Sequence, residues 1–144
     1  PTGGGPHACL ALRLAWDVVR ASGGTLTLTR IFPEPEDVCE VEFDVLHQMV
    51  EDELGHVPDE IHFRLKCHES VSDGILEEAT ESEGDYDLIV IGASEEWFLR
   101  DLLFGSIPDR VANNVSCSVL MVRRYEPAPV SWFRRAMKRV GVSS

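Results

Sequence analysis

The 144-residue chain reads as an α/β domain built on an open parallel sheet. Three observations predict this. Apolar residues recur at helical spacing in several stretches. Short β-rich runs stand between those stretches. Glycine or proline marks most of the changeovers.

Residues 7–22 place Ala8, Ala11, Leu12, Ala15, Val18 and Val19 on one stripe, and Gly23-Gly24 stops the run. Leu26 to Phe32 is short and β-rich, ended by Pro33-Glu34-Pro35. A second helix is expected over about 36–54, with Val38, Val41, Val45 and Met49 on one face. Ile61-His62-Phe63-Arg64-Leu65-Lys66-Cys67 alternates without a miss, which predicts a strand with one wet face near a sheet edge. Ser70 opens the next helix, with Asp73 three residues on as a capping box, and Gly84 closes it. Leu88-Ile89-Val90-Ile91 runs apolar into Gly92, the pattern of a central parallel strand. After a long loop, Ser106-Ile107-Pro108-Asp109 starts another helix, and Val119 to Val122 is the last strand. Strands separated by helices imply crossover connections and a parallel sheet. Pro127-Ala128-Pro129 then links to a short helix at 131–140, dividing the chain into a domain at 1–124 and a tail at 125–144.

The composition, 44% hydrophobic and 26% charged, is that of an ordinary globular domain. No apolar run approaches the roughly 20 residues of a membrane span, and no signal peptide is evident at Pro1-Thr2-Gly3-Gly4-Gly5. Cys9, Cys39, Cys67 and Cys117 lie far apart and are expected as buried free thiols in a reducing, cytoplasmic setting. The histidines show no ligand spacing, so no metal site is expected. The net charge of −12 is uneven: residues 123–144 carry six basic residues against Glu126, a net +5, which leaves −17 for residues 1–122. Such an acidic body disfavours nucleic acid as a partner.

In an open parallel sheet, ligands bind outside the carboxyl ends of the strands. Pro1 to Gly5, Ile31 to Pro33 and Gly92 to Ser106 arrive there. The helix beginning near Ser106 offers free N–H groups, and Gly92 and Gly105 allow close backbone approach. In isolation, those glycines read first as plain turn residues. His7 reads as a surface helix residue.

Asp87-Leu88-Ile89-Val90-Ile91-Gly92, Leu103-Phe104-Gly105-Ser106 and Cys117-Ser118-Val119-Leu120-Met121-Val122 together resemble the universal stress protein family, over roughly residues 1–124. The opening Pro1 to Ala8 is similar to that family's first loop and helix. The resemblance implies a sheet of the adenine-nucleotide α-hydrolase-like (HUP) type, five strands in the order 3-2-1-4-5. It also implies a homodimer through Val119, Leu120, Met121 and Val122. The family's first strand falls before Pro1, outside these residues.

In the nucleotide-binding branch of the family, ATP or AMP lies around G-x-x-G-x(9)-G-[ST]. Gly92 matches the first glycine, and Gly105 and Ser106 match the end, but the middle glycine falls on Glu95. The Asp that commonly follows Pro-Thr is Gly3 here, and Pro108 replaces a polar residue. The candidate ligand set is therefore Pro1, Thr2, Gly3, Ile31, Ile91, Gly92, Ser94, Glu95, Gly105, Ser106 and Ile107. A carboxylate about 4 Å from a phosphate costs up to roughly 4 kcal/mol at a surface-like dielectric. A helix dipole returns only about 0.3–2 kcal/mol. Tight polyphosphate binding at Glu95 and Glu96 thus needs a bridging Mg²⁺. A solvated acidic loop at Glu95, Glu96 and Asp101 is the plainer alternative. Trp97, Phe98 and Leu99 read as core cover, pocket lining or partner contact.

In the tail, Trp132, Phe133, Ala136, Met137 and Val140 share a helical face opposite Arg134, Arg135, Lys138 and Arg139. That pattern suits packing on its own domain, a membrane surface or a transporter domain through residues 131–140. Neither S-G-G-x-D-S nor H-x-G-H occurs, and no catalytic grouping is expected, so the chain does not read as an enzyme. The leading expectation is a dimeric regulatory, ligand-binding module, the cytosolic part of a membrane transporter, with a degenerate nucleotide pocket. The alternative is a stand-alone ATP- or AMP-binding stress protein.

Overall fold

The computed structural model describes residues 1–33, 39–81, 86–92 and 107–125, with residues 39 and 40 described by backbone alone. Eight elements alternate along them: α1 (Pro6–Ser22), β1 (Leu26–Phe32), α2 (Cys39–Leu54), β2 (Ile61–Cys67), α3 (Val71–Glu81), β3 (Leu88–Gly92), α4 (Ile107–Asn114) and β4 (Ser118–Val122). Val38, Gly84, the long loop from Ala93 to Ser106 and the tail from Glu126 onward lie outside the described residues.

Every strand pairing is parallel, as the alternation of elements implies. β1 pairs with β2, from Leu26 opposite Ile61 to Phe32 opposite Cys67. β3 pairs with β4, from Leu88 opposite Ser118 to Gly92 opposite Val122. Among the described residues these are two two-stranded sheets, not one five-stranded sheet.

Helices cover both faces of the strands. On one side Leu12 of α1, Leu46 and Val50 of α2, Leu28 of β1 and Ile61 of β2 form one cluster. On the other, Ile31, Ile75 of α3, Ile89 and Ile91 of β3 and Val111 of α4 form a second. β1 serves both, because successive strand side chains point to opposite faces. α1 packs against β1, β3 and β4 and so ties the strand pairs together.

Local chemistry sets the helix ends. Gly23 adopts the left-handed conformation (φ 73°) and its N–H bonds to Val19 O, closing α1. The Ser70 hydroxyl accepts the Asp73 N–H at 3.3 Å and caps α3 as expected. Asp73 itself turns aside to Arg110 of α4 (2.5 Å), so only half of the capping box is made.

Three expectations need correction. The inner row of α2 is Leu46 and Val50, with Met49 and Leu54 packed beside them. Val41 and Val45 are 61% and 50% exposed instead. Leu46 and Val50 project between the strand pair and α1, so the larger apolar surface goes to the row that includes them. The polar face of β2 is not simply wet, since α3 lies over it. Lys66 pairs with Glu77 (3.3 Å) and Glu81 (2.6 Å), and Arg64 pairs with Glu78 (3.3 Å). Nor are the described thiols deeply buried: Cys9 and Cys117 are intermediate and Cys67, at the strand end, is exposed.

Candidate functional site

The candidate crevice lies at the carboxyl ends of β1 and β3. The Thr2 N–H donates to Thr29 O at 2.8 Å, so the first residues run beside β1 like a short extension of a ladder. Thr2 is buried, and its Oγ1 accepts the Gly4 N–H at 3.2 Å. Gly4 and Gly5 take positive φ (83° and 84°), which turns the chain into α1 without strain. The first turn of α1 has neither a capping side chain nor an acidic residue.

Gly92 meets that turn directly. A Cβ placed on it would sit 2.7 Å from the His7 carbonyl oxygen and 2.9 Å from the Ala8 nitrogen. The close approach that glycine permits is therefore used by helix–strand packing. His7 completes the junction. It is buried, and its Nδ1 accepts the Arg124 N–H at 3.0 Å just beyond β4. Reading His7 as a surface residue was wrong. Its position beside small residues carried no signal of this long-range bond.

Of the candidate ligand set, the structure brings Thr2 and Gly92 to the crevice rim through these contacts, and Gly3 follows Thr2 as an exposed residue. Ile31 and Ile91 belong to the second core cluster, with Ile107 packed against it. Ile91 is fully buried. Ile31 lies under Gly74, where an added Cβ would meet its Cγ2 at 2.7 Å. Ser94, Glu95, Gly105 and Ser106 lie outside the described residues, as do Glu96, Trp97, Phe98, Leu99 and Asp101.

Pro1 faces a second feature. Between β1 and β3 lies a cavity of about 110 Å³, partly open to solvent. Thr25 to Thr29 and Leu88 to Val90 form its two walls, Ala8, Ala11 and Ala15 its roof and Ile75 and Ala79 its floor. Glu78 is buried at this floor, where it accepts the Tyr86 hydroxyl at 2.9 Å and pairs with Arg64. Burial lowers the Pro1 amine from 8.0 to about 6, against the opposing pull of Glu78.

Among the described residues no group of His, Cys, Asp and Glu is placed to hold a metal ion. No described helix is long and apolar enough to cross a membrane.

Parallel strands sandwiched by helices, with a crevice at the strand carboxyl ends, define an α/β domain of the open parallel-sheet class. The chain belongs to the universal stress protein family, whose model matches residues 1–123. Among solved structures it is similar to a universal stress protein in complex with cAMP. The TM-score is 0.68 and the identity 22%, covering 86% of this chain and 93% of that one. No curated protein sequence matches.

Proposed function

We propose that the chain is a non-enzymatic regulatory module whose crevice takes an adenine nucleotide of low charge in preference to a polyphosphate. The observation that carries this is the junction at the start of α1, where Thr2 bonds to Thr29 of β1 and Gly92, at the end of β3, packs on the backbone of His7 and Ala8. That is where a parallel α/β sheet receives ligands. The solved relative that holds cAMP, a nucleotide with a single phosphate charge, supports the same ligand class. Glu95, in place of the middle glycine, and Glu96 beside it argue against a triphosphate unless Mg²⁺ bridges the charges.

The reading extends to assembly. The two strand pairs are the halves of one five-stranded sheet in the order 3-2-1-4-5, whose central position lies between β1 and β3. Homodimerisation runs through β4, where Leu120 and Met121 are exposed at 39% and 58%. An edge strand with such residues favours a protein partner over water. The setting is cytoplasmic, attached to a membrane transporter. The acidic loop and the basic amphipathic tail support this attachment.

Backbone NMR of the 144-residue chain tests the site. Cyclic AMP is expected to shift the amides of Thr2, Gly3, Gly92 and Ile107, while those of Leu54 and Ile61 stay in place. Shifts confined to residues away from the crevice would refute the assignment. Deleting residues 125–144 is expected to abolish partitioning onto anionic liposomes. Unchanged partitioning would remove the membrane reading.

A further inference from the structure

The flank of α2 that looks toward α1 carries two rows of side chains. Val41, Val45 and Met49 follow one another at four-residue spacing, and Asp44, Gln48 and Asp52 form the row beside them. With Cys9 of α1 and Glu53 they line a shallow, open groove between the two helices. Val41 and Val45 leave apolar surface exposed there. The charge is one-sided. α2 contains no lysine or arginine. Glu53 pairs with Arg13, but among the described residues no ion pair includes the exposed Asp44 or Asp52.

A matching occupant brings apolar surface and positive charge together, and the chain supplies one. We infer that this groove is the seat of the chain's own basic tail, residues 131–140, docked as a helix along α2. Its apolar face, Trp132, Phe133, Ala136, Met137 and Val140, meets Val41, Val45 and Met49. Its four cations answer Asp44 and Asp52, because long basic side chains reach past the margin of an apolar face. The lengths agree: Val41 to Asp52 covers about 16 Å of helix, and ten helical residues cover about 15 Å. Ten residues do not hold a helix alone in water, so this segment needs such a surface.

The route is short. The Arg124 N–H donates to His7 Nδ1 at 3.0 Å, which brings the chain beyond β4 onto α1 two residues before Cys9. α1 touches both β4 and α2 and stands between them. Residues 125–130 reach about 20 Å when extended, twice the roughly 10 Å width of the helix they cross. Other occupants suit the groove less. A second copy placed symmetrically would set Asp44 and Asp52 against their own like. An anionic ligand meets the same repulsion. Phe43, also exposed on α2, is already engaged by Phe63 (5.4 Å) and His47 (6.3 Å). The inference uses neither the nucleotide nor the transporter reading.

The test is proton NMR on the full 144-residue chain. Ring protons of Trp132 and Phe133 are expected to show nuclear Overhauser contacts to the methyls of Val41, Val45 and Met49. Those contacts persist on about ten-fold dilution, as an intramolecular seat requires. Asp44→Lys with Asp52→Lys abolishes them, at exposed positions where a charge leaves the fold intact. Adding Arg134→Glu, Arg135→Glu, Lys138→Glu and Arg139→Glu to that variant restores them, because the charges are exchanged and the apolar contacts kept. Rings lying against Phe43 and Phe63, or no contact with the domain at all, would overturn the inference. So would contacts that vanish on dilution, which assign the groove to a second copy, or that survive the two lysines, which deny charge any part. Liposome partitioning reads the membrane proposal alone, so either reading can fail without the other.

Discussion

Two glycines separate the effects that a missing side chain can have. At Gly92 an added methyl would meet the backbone of His7 and Ala8, which cannot move without shifting the start of α1. Gly92→Ala is expected to cost about 1–3 kcal/mol in urea denaturation, the range of overpacked cores. At Gly74 the methyl would meet side-chain atoms of Ile31 (Cγ2 at 2.7 Å, Cδ1 at 2.9 Å) and no backbone, and alanine recovers up to about 1 kcal/mol of helix propensity. Gly74→Ala should therefore destabilise the chain less. Equal losses at the two sites would contradict the packing described. Gly92 was legible in the sequence as a position needing close approach. The body that approaches it was not, because the contact spans most of the chain and has no local pattern. His7 hid for the same reason, since its partner Arg124 is 117 residues away.

The strands were the most legible elements, and the physical reason is local. β2 alternates without interruption, β3 runs apolar into a glycine, and the observed limits of β1 and β2 coincide with the expected runs. Caps were equally readable at Ser70 and Gly23, where one residue supplies the chemistry. The buried face of α2 was not, because two i, i+4 rows compete there. One holds Val41 and Val45 and the other Leu46 and Val50, and propensity does not choose between them. Tertiary packing does. Leu46→Ala is expected to lose about 2–5 kcal/mol and Val45→Ala under about 1 kcal/mol, measured by the same denaturation. The reverse order would restore the sequence-based face. The polar side of β2 teaches a related lesson: alternation marks which residues are polar, and only α3, with Glu77, Glu78 and Glu81, decides what they face.

At the scale of the molecule, the parallel class and the family were legible, while the arrangement around the Pro1 amine was not. Burial holds that amine at about 6 in the folded 144-residue chain against 8.0 when exposed. The unfolded chain thus binds more protons between these values, and stability rises with pH across pH 6–8. The penalty below pH 6 approaches roughly 3 kcal/mol and vanishes above pH 8. Acetylating Pro1 should flatten that slope, and a slope that survives acetylation belongs to another group. Assembly has its own check. Met121→Lys places a charge on the exposed side of β4 and is expected to shift sedimentation toward monomer, whereas an unaltered dimer would move the interface elsewhere. The central claim concerns charge in the crevice, and titration calorimetry addresses it directly. Cyclic AMP and cation-free ATP are titrated separately into the same chain. Cyclic AMP is expected to bind at least about ten-fold more tightly, a difference of about 1.4 kcal/mol. Equal or tighter binding of ATP without a divalent cation would contradict the account.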